Sequence, residues 1–552
     1  MVFINYDYGY CFMPARLRRQ IFHLFPLLVA SIWTIFRPGV WPVLPLGFAI
    51  TLLLLLYDCE QLCLRSVIVE SIIAGLVYRS IIWIATPSMI GMDPDKYAVA
   101  ISRVSDNGIG AISDLGFYGT TPIYHLFHTV VMDISGLGPA TTLQITSTIF
   151  FALVPVVIVS YLAAMLSGDR AAKLGCILAS AGAASIIYAT LTIPQGLMLL
   201  LWYLVAVILI VDRHHKMSSA LLVILIALMA SLHKIGAILA LGGVVGVAVV
   251  NFINAMRDNR VLLPRYLYRY AIIAGLIFMV QMIWLTTWIK AITLKLTYII
   301  TGASIDTTIE APAATKIGGL NYLFFEHSSW ILLLFAAGVS GVWLLYTRRD
   351  RQTAGLLGIS GLAALIICFA VATPFSLSIQ RAIGIGEPFL IILAVIGAIS
   401  LSKRTDKSIA PIVIGILIIT QLIGAGVVPD HPTEVNEHLT DEEIEAKDWA
   451  NKHLDQRIYG HYFVAQEITD FEGERATYKT GAGGGFPSGW SPASKYLVSG
   501  NLSEADGCFF LRKGQDRVRY NGLYRLKYDP ITRLNESSRA LVFENTDVVI
   551  YC

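Results

Sequence analysis

Residues 66–108 read SVIVESIIAGLVYRSIIWIATPSMIGMDPDKYAVAISRVSDNG. The first half is an apolar run of the length that crosses a bilayer as a helix, about 20 residues. It gives way abruptly to Asp93, Asp95 and Lys96, as a transmembrane helix does on reaching a membrane surface. In DPDKYAVAISRVSDNG the apolar Tyr97, Ala98, Ile101 and Val104 recur at helical spacing, and Gly108 and Gly110 end the pattern. That predicts an amphipathic helix lying on the outer membrane surface, with both aspartates at its N-terminal end.

Similar apolar runs recur from Ile21 to about Val427 and then stop. The chain of 552 residues is 56% hydrophobic and 14% charged, against roughly 25% charged for an ordinary soluble protein. The fold class is therefore an all-α polytopic membrane protein with a small exterior α+β C-terminal domain. The spans fall near 21–36, 41–57, 66–86, 142–166, 174–192, 195–211, 218–232, 235–253, 269–288, 329–346, 354–373, 386–402 and 409–427, thirteen in all. Three regions follow: 1–65, a cytosolic segment and two-helix hairpin; 66–427, the transmembrane core with long loops at 87–141 and 289–328; and 428–552, a soluble domain.

The net charge of +3 says little about partners, and no nucleic-acid partner is expected; the distribution of the charge sets topology. With the N-terminus cytosolic, the inside loops collect Arg16, Arg18, Arg19, Arg170, Lys173, Arg257, Arg348, Arg349, Lys403 and Arg404 among others. The outside loops are longer yet hold few cations, so the positive-inside rule selects this orientation in a cell membrane or endomembrane. Both the 87–141 loop and the C-terminal domain then face outward. Asn501-Leu-Ser and Asn535-Glu-Ser are N-glycosylation acceptor patterns, which have meaning only on that side. Cys508 and Cys552 are the only cysteines of the exterior domain, which leaves a disulfide between them open.

Acidic residues at a helix N-terminus stabilise it by about 0.3–1 kcal/mol, so capping accounts for one of the two aspartates. Carboxylates at a membrane surface can also deprotonate a hydroxyl or hold a divalent cation. Asp93 and Asp95 are accordingly the candidate catalytic residues and the candidate metal ligands. Lys96, Tyr97, Arg103, Tyr124, His125 and His128 share their loop and are candidates for binding substrate. His233 and Lys234 form the turn between spans seven and eight, and Arg381 precedes span twelve in SIQRAIGIGEPF. Each cation taken singly can snorkel to lipid phosphate; together they can clamp one phosphate, Arg381 best by its planar fork. Glu387 either orients Arg381 or caps a helix, and it is carried as a substrate-binding candidate. Glu70 and Arg79 are ionisable residues inside the third span, where such groups face a cavity or a partner; Arg79 either supports the site or contacts a donor phosphate. The 289–328 loop, with Asp306, Glu310, Lys316 and Glu326, reads equally as a lid or a solvated connector. In the C-terminal domain Thr440-Asp-Glu-Glu443 is a capping box, ALVFENTDVVIYC alternates like paired strands, and Trp490 after GAGGGFPSG is placed to contact an acceptor.

MDPDKYAVAISRVSDNG followed by FYGTTPIYHLF, then many spans and an exterior domain, resembles the GT-C superfamily of membrane glycosyltransferases. That superfamily includes protein mannosyltransferases, aminoarabinose transferases and oligosaccharyltransferase catalytic subunits. The resemblance implies a sugar donor on a polyprenyl phosphate, a glycan, lipid or protein acceptor, and an inverting transfer. It makes Asp93 the base, Asp95 an assistant or a ligand to Mg or Mn, and Lys234, Arg381 and His233 the partners of the departing phosphate. The first two spans read as an N-terminal addition. No WWDYG motif occurs in the exterior domain, and Thr307-Thr-Ile-Glu310 has the wrong spacing for the T-I-x-E element of oligosaccharyltransferase. The alternatives are a multi-pass transporter or lipid flippase, and a glycan ligase or polymerase.

Overall fold

A computed structural model describes residues 14–37, 40–91, 93–115, 117–211, 216–257, 265–284, 311–317, 320–372, 379–425, 429, 431, 438–461, 464, 490–520 and 523–552. Helices α1 (Pro14–Phe36) and α2 (Val43–Asp58) form a hairpin, and α3 (Leu64–Ile84) leads to α4 (Pro94–Asn107). A 3-10 segment, Ile109–Leu115, joins α4 to α5 (Phe117–Thr120) and α6 (Ile123–Ser135). There follow α7 (Pro139–Ser167), α8 (Asp169–Ser180), α9 (Ala183–Leu191), α10 (Pro194–Val211), α11 (Lys216–Leu232), α12 (Gly236–Arg257) and α13 (Arg265–Trp284). Beyond strand β1 (Ala314–Lys316) come α14 (Leu320–Thr347), α15 (Arg351–Ala372), α16 (Ile379–Arg404) and α17 (Ile409–Ile423).

Among the described residues nine helices are long and apolar enough to cross a membrane, and α8 with α9, bent by 43°, makes a tenth if counted as one span. Three others, α2, the Ser218–Leu232 part of α11, and α17, are apolar but shorter. Each apolar run of the sequence thus falls on one helix or on the bent pair, while thirteen full spans are not established. Contacts between loops sort them into two ends. At one end Arg170 pairs with Glu60 at 2.7 Å, Arg348 donates to the Leu166 carbonyl, and Arg257 donates to the Leu345 carbonyl. At the other, the Leu439 amide donates to Ser88 Oγ at 2.7 Å, and Trp41 meets the rings of Phe325 and His431.

The hairpin α1–α2 is bonded to the core at its basic end. Buried His23 places Nδ1 2.8 Å from Glu70 Oε2 and Nε2 3.1 Å from Asp58 Oδ2. The helix expected to lie on the membrane is instead covered by protein on its apolar face. Tyr97, Ala98 and Ile101 of α4 join the main core, and Ala100 and Val104 pack with Ile112, Leu115 and Leu126. A short surface helix is held more firmly by packing partners than by lipid alone, because close-packed side chains add dispersion contacts to burial.

The C-terminal unit is α+β. Helix α18 (Asp441–His453) opens with the reciprocal capping box of Thr440 and Glu443. The strands β2 (Ile458–Gly460), β3 (Trp490–Pro492), β4 (Cys508–Arg512), β5 (Arg517–Arg519), β6 (Leu523–Leu526), β7 (Leu541–Glu544) and β8 (Val548–Tyr551) complete it, with α19 (Ser494–Ser499) and α20 (Pro530–Asn535) between them. The larger sheet runs β3-β2-β4-β8-β7, parallel across β3, β2 and β4 and antiparallel beyond. Side chains alternate across it: Cys508, Phe510, Val548 and Ile550 pack with α18, whereas Phe509, Leu511, Val549 and Tyr551 pack on the opposite side with Leu497 and Val498 of α19. Cys508 and Cys552 form a disulfide. Cys63, at the opposite end of the molecule, is also disulfide-bonded, so disulfides do not orient the chain.

The second sheet, β1-β6-β5, is antiparallel and takes its edge strand from the long 289–328 loop. Lys316 therefore lies in a strand tied to the C-terminal domain, whereas Asp306 and Glu310 lie outside the described residues. Trp490 is buried, not poised for an acceptor: its Nε1 donates to Asn451 and its ring lies under Lys447 Nζ.

Candidate active site

The passage from α3 to α4 is built by Gly91, whose φ of +102° favours glycine. A Cβ there would also come within 2.8 Å of Leu191 Cδ2 at the end of α9. Asp93 then occupies the N-cap of α4 with Pro94 at the first helical position, but its side chain accepts no capping hydrogen bond. Asp95, the second residue of the first turn, is buried to 1% exposure, while Asp93 is only half-buried. The two carboxylates thus differ in environment, and Asp93 is the accessible one.

Around them stands an aromatic group. The ring of Tyr97 lies 5.7 Å from Tyr118, 5.6 Å from Tyr124 and 5.9 Å from His125. The phenols of Tyr97 and Tyr118 are close enough to act on each other. Burial holds the Tyr118 phenol up at about 12, and the charges of Asp93 and Arg381 act on it with opposite sign. The α4 N-cap carboxylate and the α16 cation therefore both lie within electrostatic reach of Tyr118, although 288 positions separate them (381 − 93). Arg381 also acts on His233, as does the adjacent Lys234. Exposed Lys234 and Arg381 are the charged members of that group. Burial, with both cations adding to it, pushes the His233 imidazole down to about 3, so it is neutral. Its Nδ1 accepts from the Ile235 amide, which leaves the proton on Nε2 as a donor.

The turn carrying His233 and Lys234 is pinned from α13. Gln281 Nε2 donates to the carbonyls of Ala230 and His233, and its Oε1 accepts from the Ala237 amide. Gln281 also lines a cavity of about 260 Å³ with Phe117, Thr121, Ala230, Leu276 and Val280. That cavity lies between the helices α11 and α13 and the segment bearing Tyr118.

Other candidates are held elsewhere. Tyr124 donates through its hydroxyl to the Thr192 carbonyl at 2.6 Å. His128 Nδ1 lies 2.9 Å from the Tyr124 carbonyl and Nε2 3.1 Å from Thr146 Oγ1, so His128 clamps α6 to α7. Burial pushes both His125 and His128 down to about 4. His125 is fully buried with no hydrogen bond on either ring nitrogen among the described residues. Lys96 is near enough to act on His125, whereas Arg103 stands about 15 Å along α4 from Asp93 at helical rise.

Arg79 and Glu387 serve the bend between α8 and α9. Arg79 donates to the carbonyls of Gly75 and Ser180, the latter at the C-terminus of α8. Glu387 accepts from the amides of Ala184 and Ser185 and from Ser185 Oγ, at the N-terminus of α9. Gln421 takes the Ala183 amide. A cation at the negative end of one half-helix and an anion at the positive end of the next match both dipoles. The structure thus engages both residues in the scaffold rather than at Asp93.

A divalent metal at Asp93 and Asp95 is poorly served by these positions. Asp95 is buried while Asp93 is half-exposed, and no third His, Cys, Asp or Glu gathers with them among the described residues.

No protein-family model and no curated protein matches the chain in sequence. Among solved structures it is similar to the apo oligosaccharyltransferase of Archaeoglobus fulgidus, at 11% identity and a TM-score of 0.46, over 82% of this chain and 61% of that one. The same organism's AglB in complex with an inhibitory peptide and a dolichol-phosphate gives 10% and 0.44, over 77% and 63%. ArnT from Cupriavidus metallidurans bound to undecaprenyl phosphate gives 12% and 0.36, over 87% and 97%. The chain spans about three fifths of the oligosaccharyltransferase's length. The likeness is one of overall helical course and assigns no residue. The class that the fold itself defines is a polytopic helical membrane protein with an α+β extramembrane domain.

Proposed function

We propose that this chain is a GT-C-type membrane glycosyltransferase that moves a sugar from a polyprenyl-phosphate carrier to a hydroxyl acceptor at the outer membrane surface. The observation that carries the reading is that Asp93, a half-exposed carboxylate that caps nothing, shares the surroundings of Tyr118 with Arg381. Asp93 takes the acceptor proton as the acceptor oxygen bonds to the anomeric carbon. The bond from that carbon to the phosphate oxygen breaks, and the configuration inverts. A phosphate leaving group needs charge stabilisation more than protonation. Arg381 and Lys234 supply charge, and His233 Nε2 supplies a neutral hydrogen bond. The apolar cavity beside Gln281 gives the first isoprene units a place next to those cations. Dolichol phosphate and undecaprenyl phosphate are the carriers bound in the AglB and ArnT structures. The orientation proposed is the positive-inside one, with the N-terminus cytosolic and the C-terminal domain exterior.

A transporter or flippase is the second reading, favoured by the broken helix α8–α9. Against it, the half-helix ends at the break are already taken by Arg79, Glu387 and Gln421. Purified protein with a radiolabelled polyprenyl-phosphate sugar separates the two. The glycosyltransferase yields a covalent product that Asp93→Asn abolishes and Arg381→Gln reduces by at least tenfold. Full transfer by Asp93→Asn removes the base assignment, and flux into liposomes without product establishes the transporter.

A further inference from the structure

At the basic end of the molecule, α14, α16 and α17 leave a groove of about 590 Å³ on the outer face of the helix bundle. Its walls are Phe335 and Val339 from α14, Gly397 and Leu401 from α16, and Val413 and Ile416 from α17. Phe335, Val339, Leu401 and Ile416 are all exposed. The floor exists because α14 and α16 approach closely at Gly397, where a Cβ would fall 1.7 Å from Ser340 Oγ. The lining runs from Ala394 to Arg404 along α16, about 15 Å at helical rise. That is half of a hydrocarbon core of about 30 Å, the depth of a single leaflet.

The groove ends at a cation. Arg404 lies over the Trp343 ring at 5.8 Å and meets no carboxylate among the described residues. The nearby Asp406 turns its carboxylate to the Ser408 amide instead. Arg404 and Lys403 also complement the C-terminal dipole of α16, but a helix end alone calls for no leaflet-deep apolar channel beside it. We infer that this groove is a binding site for an anionic phospholipid, one acyl chain lying along α16 and the phosphodiester held by Arg404 with Lys403 beside it. An acyl chain is by construction as long as its leaflet, which fits the groove, whereas a polyprenyl chain is not limited to that length. The cation–π contact holds the guanidinium by the Trp343 ring and leaves N–H donors for phosphate oxygens. This site is independent of glycosyl transfer and lies at the opposite end of the molecule from Asp93.

The test uses the full chain reconstituted in phosphatidylcholine vesicles carrying a minor share of brominated phosphatidylglycerol or brominated phosphatidylcholine. Bromine in the groove quenches Trp343, and subtracting the same measurement on Trp343→Phe isolates that residue. Brominated phosphatidylglycerol quenches more strongly at equal mole fraction, and Arg404→Gln weakens its apparent affinity about tenfold. Ala398→Phe, which fills the groove, removes the excess quenching, while Arg349→Gln, a cation at the same end outside the groove, leaves it unchanged. Equal quenching by the two lipids, or an unchanged affinity in Arg404→Gln, overturns the assignment. So does disulfide cross-linking of Val339→Cys into a dimer, which would give the groove to a second copy of the chain.

Discussion

Asp93 and Glu387 are both carboxylates at helix N-termini, yet the structure uses them oppositely. Glu387 is buried and accepts three hydrogen bonds from Ala184 and Ser185, whereas Asp93 stands at an N-cap and accepts no capping bond. Removal of the first therefore harms folding and removal of the second does not. Glu387→Ala leaves buried amides unpaired and Arg79 without its counter-charge, a loss of about 3–5 kcal/mol, read as a large fall in thermal midpoint in detergent. Asp93→Asn is expected to stay within about 0.5 kcal/mol of the wild type, since an N-cap in use would lose about 1. A midpoint lowered as far as that of Glu387→Ala would make Asp93 a structural residue.

The layer α4–α6 is an element with its own pH response. His125 and His128 titrate near 4 in the fold, below their ordinary 6.5, because burial opposes the charged ring. Between those values an unfolded chain binds protons that the folded one does not, so stability falls as pH drops. At pH 5 the loss is about 2 kcal/mol for each histidine. Amide exchange across Ile123–Ser135, corrected for its intrinsic pH dependence, should quicken on acidification, and a His128→Gln chain should show about half of the change. Strand β1 offers a second test at this scale. The Ile317 amide donates to the Leu523 carbonyl at 2.8 Å just beyond β1, so Ile317→Pro removes that bond and should speed exchange across Leu523–Leu526. Unaltered exchange there would separate the loop from the domain.

At the scale of the whole molecule, loops rich in Lys and Arg meet at one end and Ser88, Trp41 and Leu439 meet at the other. Exposed Asp106 and Lys407 mark the two ends. In a Cys368→Ser background, Asp106→Cys should react with an impermeant thiol reagent on intact cells, and Lys407→Cys only after permeabilisation. The reverse pattern would invert the proposed topology. His23 ties α1 and α2 to α3 through Asp58 and Glu70, so His23→Ala, which leaves two carboxylates facing each other, should release the N-terminal hairpin to proteolysis first.

The membrane class, the positions of the helices and the capping box at Thr440 were legible in order of residues, because hydrophobic length and local backbone chemistry act within a few turns. The start of α4 at Asp93 and its end at Gly108 were legible for the same reason. What covered α4 was not, since an apolar face looks the same whether protein or lipid lies on it. Nor was the role of Glu387, only six positions from Arg381: which helix N-terminus a buried carboxylate meets depends on partners some 200 residues away. Tyr118 and Gln281 gave little signal as single polar residues in FYGTT and in an apolar helix, and gained their places only when α5, α11, α13 and α16 came together. The sequence by itself determined a chain that must cross a membrane many times and a carboxylate at the start of the helix that follows its third apolar run. Tertiary structure alone decided that this carboxylate, which makes no capping bond, and a cation from α16 would both act on Tyr118, because burial and electrostatics depend on distance in space and not on distance along the chain.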